Sequence, residues 1–171
     1  MKNIIKENIV YIVIILLVIL IKIFIVTPVR VRGESMEKTL QNNDIMILNK
    51  MAYKFNDIKR FDIVVIDITD EYIIKRVIGL PGEKVEYKNN KLYINGKEKK
   101  ETFNKVDDKE LEDFNTEKLG SITVPKDSYL VLGDNRPNSL DSRKLGFIKT
   151  KNIIGRTKFT IFPFSKFGNK K

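Results

Sequence analysis

The sequence predicts a mainly β domain behind one membrane-spanning helix, and three observations carry that expectation. Residues 9–26 form an 18-residue run that is apolar except for Lys22. Behind it come short runs rich in β-branched and aromatic residues, punctuated by Gly, Asn, Asp or Pro. One stretch, residues 97–118, breaks the pattern: 14 of its 22 residues are charged, with both signs mixed.

As a helix, residues 9–26 would extend about 27 Å, close to the hydrocarbon thickness of a bilayer. Lys22 lies one turn from the end, where its stem can snorkel to the interface. Pro28 is expected to stop the helix at its exit. The following Thr27-Pro28-Val29-Arg30-Val31-Arg32 offers no small-residue cleavage site, which favours a retained anchor over a removable leader. Lys2 and Lys6 precede the span, and Arg30, Arg32 and Lys38 follow it. That count leans slightly against an outward-facing domain, although long domains translocate largely regardless of charge. The expected division is a short tail over 1–8, an anchor over 9–26 and a domain over 27–171.

Within the domain, strands are expected at 44–49, 62–68, 72–78, 84–88, 91–94, 129–132 and 157–162. Asn89-Asn90 closes a hairpin, and Asn95-Gly96 is a second turn signal. The charged segment 97–118 is expected to be a small inserted cap or flexible loop. Phe103, Val106, Leu111 and Phe114 would pin it back weakly.

Composition narrows the chemistry. The chain has no His and no Cys, so Ser-His and Cys-His mechanisms, disulfides and metal thiolates are excluded. No Asp/Glu cluster has ligand spacing, so no metal is expected. The net charge is +10, with 32 basic and 22 acidic residues. The basic residues are scattered and not interleaved with aromatics in one patch, which argues against nucleic acid. Beside an anchor, attraction to an acidic lipid surface is the simpler reading.

Three motifs then stand out. In Gly33-Glu34-Ser35-Met36, Gly33 lets backbone come close to a bound peptide, and the Ser35 N–H is a candidate oxyanion donor. In 75–82, a strand beginning near Tyr72 places Ile73, Lys75 and Val77 on one face and Ile74, Arg76 and Ile78 on the other. A lysine between two β-branched aliphatics is desolvated, which lowers its pKa and allows it to act as a base. Arg76 cannot serve that way, because a guanidinium stays protonated. The bland alternative for Lys75 is an exposed sheet lysine paired with Glu71 or Asp70. In 133–143, Asp134, Asn135, Arg136, Asn138, Ser139, Asp141, Ser142 and Arg143 crowd together after an apolar strand. That density suits a buried polar network of Arg–Asp bridges, in which a serine could align the Lys75 amine with Ser35. Two arginines argue against calcium there, and no following helix suits phosphate.

With these motifs quoted, the chain resembles the bacterial type I signal peptidases, or leader peptidases, in a short Gram-positive-like form. The serine box corresponds to Gly33-Glu34-Ser35-Met36-Glu37-Lys38-Thr39-Leu40, the lysine box to 75–82 and the last box to 133–143. A further box matches Arg60-Phe61-Asp62-Ile63-Val64-Val65. The resemblance implies Ser35 as nucleophile, Lys75 as general base and Ser139 as the hydroxyl orienting that lysine. Asp141 and Arg143 would be structural supports, and no cofactor would be needed. It also implies a mostly antiparallel β fold and a single-pass membrane protein with a cytoplasmic N-terminus and an extracytoplasmic catalytic domain. Implied partners are secretory preproteins with small residues at the first and third positions before the cut, and the lipid bilayer. Neither nucleic acid nor an obligate partner is implied, so a monomer is expected. Lys38 stands where the family usually has Pro, Glu83 where it has Asp, and Gly33 where some relatives carry a second oxyanion serine. Self-cleaving repressors share a serine–lysine pair, but they carry a helix-turn-helix where this chain has its apolar run.

Overall fold

The computed structural model describes residues 2–69, 71–103 and 112–170, without the side chains of 2–7 and 21–24. Helix α1 (Lys2–Phe24) leads into β1 (Val26–Arg30), β2 (Ile45–Asn49), β3 (Ile63–Asp67) and β4 (Tyr72–Gly79). Then come β5 (Val85–Lys88), β6 (Lys91–Ile94), β7 (Lys97–Glu98), β8 (Phe114–Asn115) and β9 (Ser128–Leu132). The chain closes with α2 (Ser142–Leu145), β10 (Ile148–Lys149), β11 (Ile153–Phe162) and β12 (Gly168–Asn169). Each of the expected strands is present.

The larger sheet runs β1-β2-β11-β3-β4-β9-β10, with β12 on β11, and the smaller runs β7-β6-β5-β8. All pairings are antiparallel. Ile78, Leu130 and Leu132 of the large sheet pack with Val85, Tyr87, Leu92 and Phe114 of the small one, which fastens the two together. Val64, Ile66, Val77 and Val131 form a second core. Val31, Met36, Leu40, Met46 and Ile63 form a third. Each fully buried aliphatic side chain stabilises the fold by roughly 1.5–3 kcal/mol.

The turn chemistry follows the sequence. Asn89 and Asn90 both have positive φ, as a two-residue hairpin between right-twisted strands requires, and they join Lys88 to its partner Lys91. Asn95 and Gly96 do the same between β6 and β7.

Several boundaries differ from expectation. Helix α1 runs from Lys2 to Phe24, so residues 2–8 of the expected tail are helical. Val26 already belongs to β1, an edge strand containing Pro28. An edge strand tolerates proline because the missing N–H costs no ladder bond on its open side. Among the described residues no helix is long and apolar enough to cross a membrane. The expected span partly covers residues 21–24, including Lys22, whose side chains lie outside the description. β11 starts four residues earlier than expected, at Ile153. Segment 97–118 is more than a loop, for it supplies β7 and β8 to the small sheet. Phe114 is buried and stacks on Tyr87 at 5.1 Å. Val106 and Leu111 lie outside the described residues. Met36, next to Ser35 in the chain, is buried in the third core.

Candidate active site

Ser35 opens a turn that its apolar neighbours pin down. Glu37 N donates to Glu34 O (2.9 Å), and Thr39 N and Leu40 N donate to Met36 O (3.1 and 2.8 Å). Met36 and Leu40 sink into the core below, leaving Ser35 half-buried at the rim. Lys38 takes φ +92° at the third position of the Met36–Thr39 turn. Turns of that shape favour glycine there, and a proline, locked near −65°, cannot occupy it. The lysine that departs from the family pattern thus sits in a backbone conformation that the usual proline could not adopt.

Lys75 lies opposite Val64 in the β3–β4 ladder and is only 3% exposed. Its Nζ donates to Ser35 Oγ at 2.6 Å and to the Ile74 carbonyl at 3.0 Å. Burial pushes its pKa down to about 8, against the opposing pull of the Asp141 and Asp134 carboxylates.

The 133–143 loop grips the nucleophile segment from outside. Asn135 N donates to Ser35 O (3.0 Å), Asn135 Nδ2 to Glu34 O (3.1 Å) and Asn138 Nδ2 to Glu34 Oε2 (3.3 Å). A side chain at Gly133 would collide with Ser35 O and Ser139 Oγ, so glycine is what permits this approach. Asp141 accepts from Gly133 N (3.1 Å), from Arg143 Nε (2.9 Å) and from Arg143 Nη2 (2.8 Å). Burial pushes its pKa up, but the Arg143 bonds and charge and the Gly133 amide outweigh that and hold it low. Ser139 is buried beside these groups. Its Oγ acts on the Asp141 carboxylate and makes no hydrogen bond to Lys75 among the described residues.

The structure also joins residues of different boxes, with Asp134 of the expected Arg–Asp network paired to Arg76 of the lysine box. Arg76 and Asp134 form a fully buried two-point ion pair, with Nε–Oδ1 at 2.9 Å and Nη2–Oδ2 at 2.6 Å. Thr39 Oγ1 donates to the same carboxylate (2.5 Å), and Arg76 Nη1 donates to Phe61 O (3.0 Å). All four sequence boxes therefore meet at one buried pair. The alternation that singled out Lys75 applied equally to Arg76, flanked by Ile74 and Ile78. Arg60 holds Glu83 through Nη1 (2.9 Å) and Nη2 (2.5 Å). The Arg136 guanidinium is claimed by Glu101 and Tyr87 and not by Asp141. Among the described residues no group of acidic side chains could hold a metal ion.

Comparison with known proteins agrees with this architecture. The family described as "Signal peptidase, peptidase S26" matches residues 2–162. Signal peptidase I of Bacillus amyloliquefaciens is 42% identical over 156 residues, covering 89% of this chain and 84% of that protein. Signal peptidase IB of Staphylococcus aureus is 40% identical over 157 residues, covering 84% of this chain and 82% of that protein. The crystal structure of a signal peptidase I from Enterococcus faecalis superimposes with a TM-score of 0.54 at 39% identity. That match covers 59% of this chain and 97% of the other. The chain belongs to the signal peptidase family, peptidase S26, and is a serine endopeptidase of the signal peptidase I kind.

Proposed function

We propose that this chain is a membrane-anchored endopeptidase that removes N-terminal signal peptides from exported precursors with Ser35 and Lys75 as a catalytic dyad. The observation that carries the proposal is the 2.6 Å contact between a buried Lys75 amine and the Ser35 hydroxyl. Neutral Lys75 accepts the Ser35 proton as Oγ attacks the scissile carbonyl carbon. The Ser35 N–H helps hold the oxyanion. The resulting Lys75 ammonium returns its proton to the leaving amine, and water, activated by the same amine, then hydrolyses the acyl-serine.

Strand β4 offers the substrate an edge. Arg76, Val77 and Gly79 pair with β9, whereas among the described residues Tyr72–Ile74 pair with β3 alone. An extended peptide added beside that open stretch would run straight to Lys75. Val29 and Ile74 pack against the buried cluster that contains Met36, and Met36 and Ile74 are chain neighbours of Ser35 and Lys75. That setting suits small apolar side chains at the first and third positions before the cut. Asp141 and Arg143 support the loop, and Ser139 is the hydroxyl that aligns Lys75 once substrate is bound.

Helix α1 serves as the anchor, with the N-terminus cytoplasmic and the catalytic domain outside. The exposed apolar side chains from Ile9 to Leu20 support this. The enzyme acts as a monomer on the bilayer surface. The test is purified full-length protein with a precursor carrying an Ala-x-Ala site. The expected result is one cut after the second alanine, lost in Ser35→Ala. Cleavage at an unchanged rate in that variant would end the proposal.

A further inference from the structure

Two buried arginines hold the site together, and the same short piece of the charged segment reaches both. Arg136 is fully buried and lies next to Asn135, whose amide holds the Ser35 carbonyl. Its Nη2 donates to Glu101 Oε1 (2.6 Å), its Nη1 donates to Glu101 Oε2 (3.3 Å) and to Tyr87 Oη (2.8 Å), and its Nε donates to Gly133 O (3.0 Å). Tyr87 Oη in turn donates to Glu101 Oε1 (2.6 Å), closing a three-member ring. Two residues on, the Phe103 ring lies against the Arg76 guanidinium at 3.8 Å and meets Phe61 edge-on at 5.0 Å. Arg76 is chain neighbour to Lys75 and is bound to Asp134, itself chain neighbour to Asn135.

Two other acidic side chains of this region behave differently. Glu98 and Glu117 bind Lys91 and Lys84 with side chains 42% and 50% exposed, pairs of small energetic value. The Glu101 side chain is only 6% exposed, and both of its oxygens are committed. An arginine stays charged at any working pH, so removing its buried carboxylate leaves a charge that must be resolvated by moving the loop.

We propose that Glu101 and Phe103 are positioning residues for the Ser35–Lys75 pair, acting through Arg136 and Arg76 respectively. The inference rests on the dyad reading above. It makes the charged segment a brace for catalysis as well as a cover. Glu101 fixes the loop that holds the Ser35 carbonyl, and Phe103 fixes the arginine beside Lys75. Displacements of an ångström at such distances can cost up to about a hundredfold in rate.

The experiment compares full-length Glu101→Gln, Glu101→Asp and Phe103→Leu with an exposed control, Glu98→Gln. It reads kcat and KM separately on a soluble Ala-x-Ala peptide, across pH, at a temperature where circular dichroism shows each variant folded. Glu101→Gln should lower kcat by at least about tenfold with KM nearly unchanged, and should shift the pH limb upward as Lys75 gains water. Glu101→Asp should recover part of both effects, Phe103→Leu should lose several-fold in kcat, and Glu98→Gln should match wild type. A Glu101→Gln enzyme with the wild-type kcat and pH limb overturns the proposal. So does a kcat loss that disappears once the variant is as folded as wild type. Should Glu101→Gln fail to fold, wild-type behaviour in both Glu101→Asp and Phe103→Leu overturns it equally. A wild-type chain that cuts nothing removes the peptidase reading and this proposal together, whereas unaffected variants of an active enzyme remove only this one.

Discussion

Lys75 and Arg76 are neighbours on β4, both buried and both basic, yet their surroundings treat them in opposite ways. Arg76 meets a carboxylate at two points, a carbonyl and an aromatic face. Among the described residues Lys75 donates to a hydroxyl and a carbonyl, and the carboxylates of Asp134 and Asp141 act on it without bonding it. The difference teaches that burial alone does not make a base. A buried cation with a complete set of partners becomes a strut, while one denied a bonded carboxylate releases its proton near neutral pH.

The comparison is broken most severely by giving Lys75 the chemistry of Arg76. Lys75→Arg should be as inactive as Lys75→Ala or Ser35→Ala, because guanidinium keeps its proton. The Ser35→Ala/Lys75→Ala double variant should be no worse than either single one, as for residues that share a step. Single-turnover cleavage assays decide this, and appreciable activity in Lys75→Arg would remove Lys75 as the base.

Next in size is the loss of Arg76's partner. Asp134→Ala should destabilise the domain by about 3–5 kcal/mol in denaturant unfolding, since it strands a buried charge. Asp141→Ala should cost less, because Arg143 keeps a 23% exposed side chain and can turn to water. Equal losses would show that burial does not separate the two pairs.

Lys75 should weaken the fold while it is charged. Its folded pKa, about 8, lies below its unfolded value of 10.5, so the unfolded chain binds more protons between those values. The penalty is full below about pH 8 and is relieved as pH rises toward 10.5. Lys75→Met should therefore stabilise the domain by up to about 3 kcal/mol at pH 7, with the gain shrinking at alkaline pH. A gain that does not change with pH would assign the effect to packing.

The smallest expected effect lies beside the nucleophile. Lys38→Gly should add about 1 kcal/mol of stability by relieving the positive φ, and Lys38→Pro should destabilise despite restoring the family pattern. A stabilising proline would show that this turn can take another form.

Much of this architecture was legible in the sequence, because β-branched runs between Asn, Gly and Pro turns encode strands locally. β1 was hidden by Pro28, which reads as a helix stop but sits harmlessly on a sheet edge. β7, β8, β10 and β12 are two residues long, too short for any periodicity. Ser35 and Lys75 stood out because their neighbours in sequence define their surroundings. Glu101 did not, because composition cannot distinguish one buried carboxylate among many solvated charges. The partner of Arg136 lies 35 residues away, so nothing in the last box could announce it.

The pH dependence of kcat/KM on a soluble Ala-x-Ala peptide tests the central claim most directly, since it reports the ionisation of the free enzyme's base. Activity should rise through a single ionisation at about 8, the value that burial gives Lys75. A profile already flat above about pH 5 would place the base on a carboxylate and contradict it.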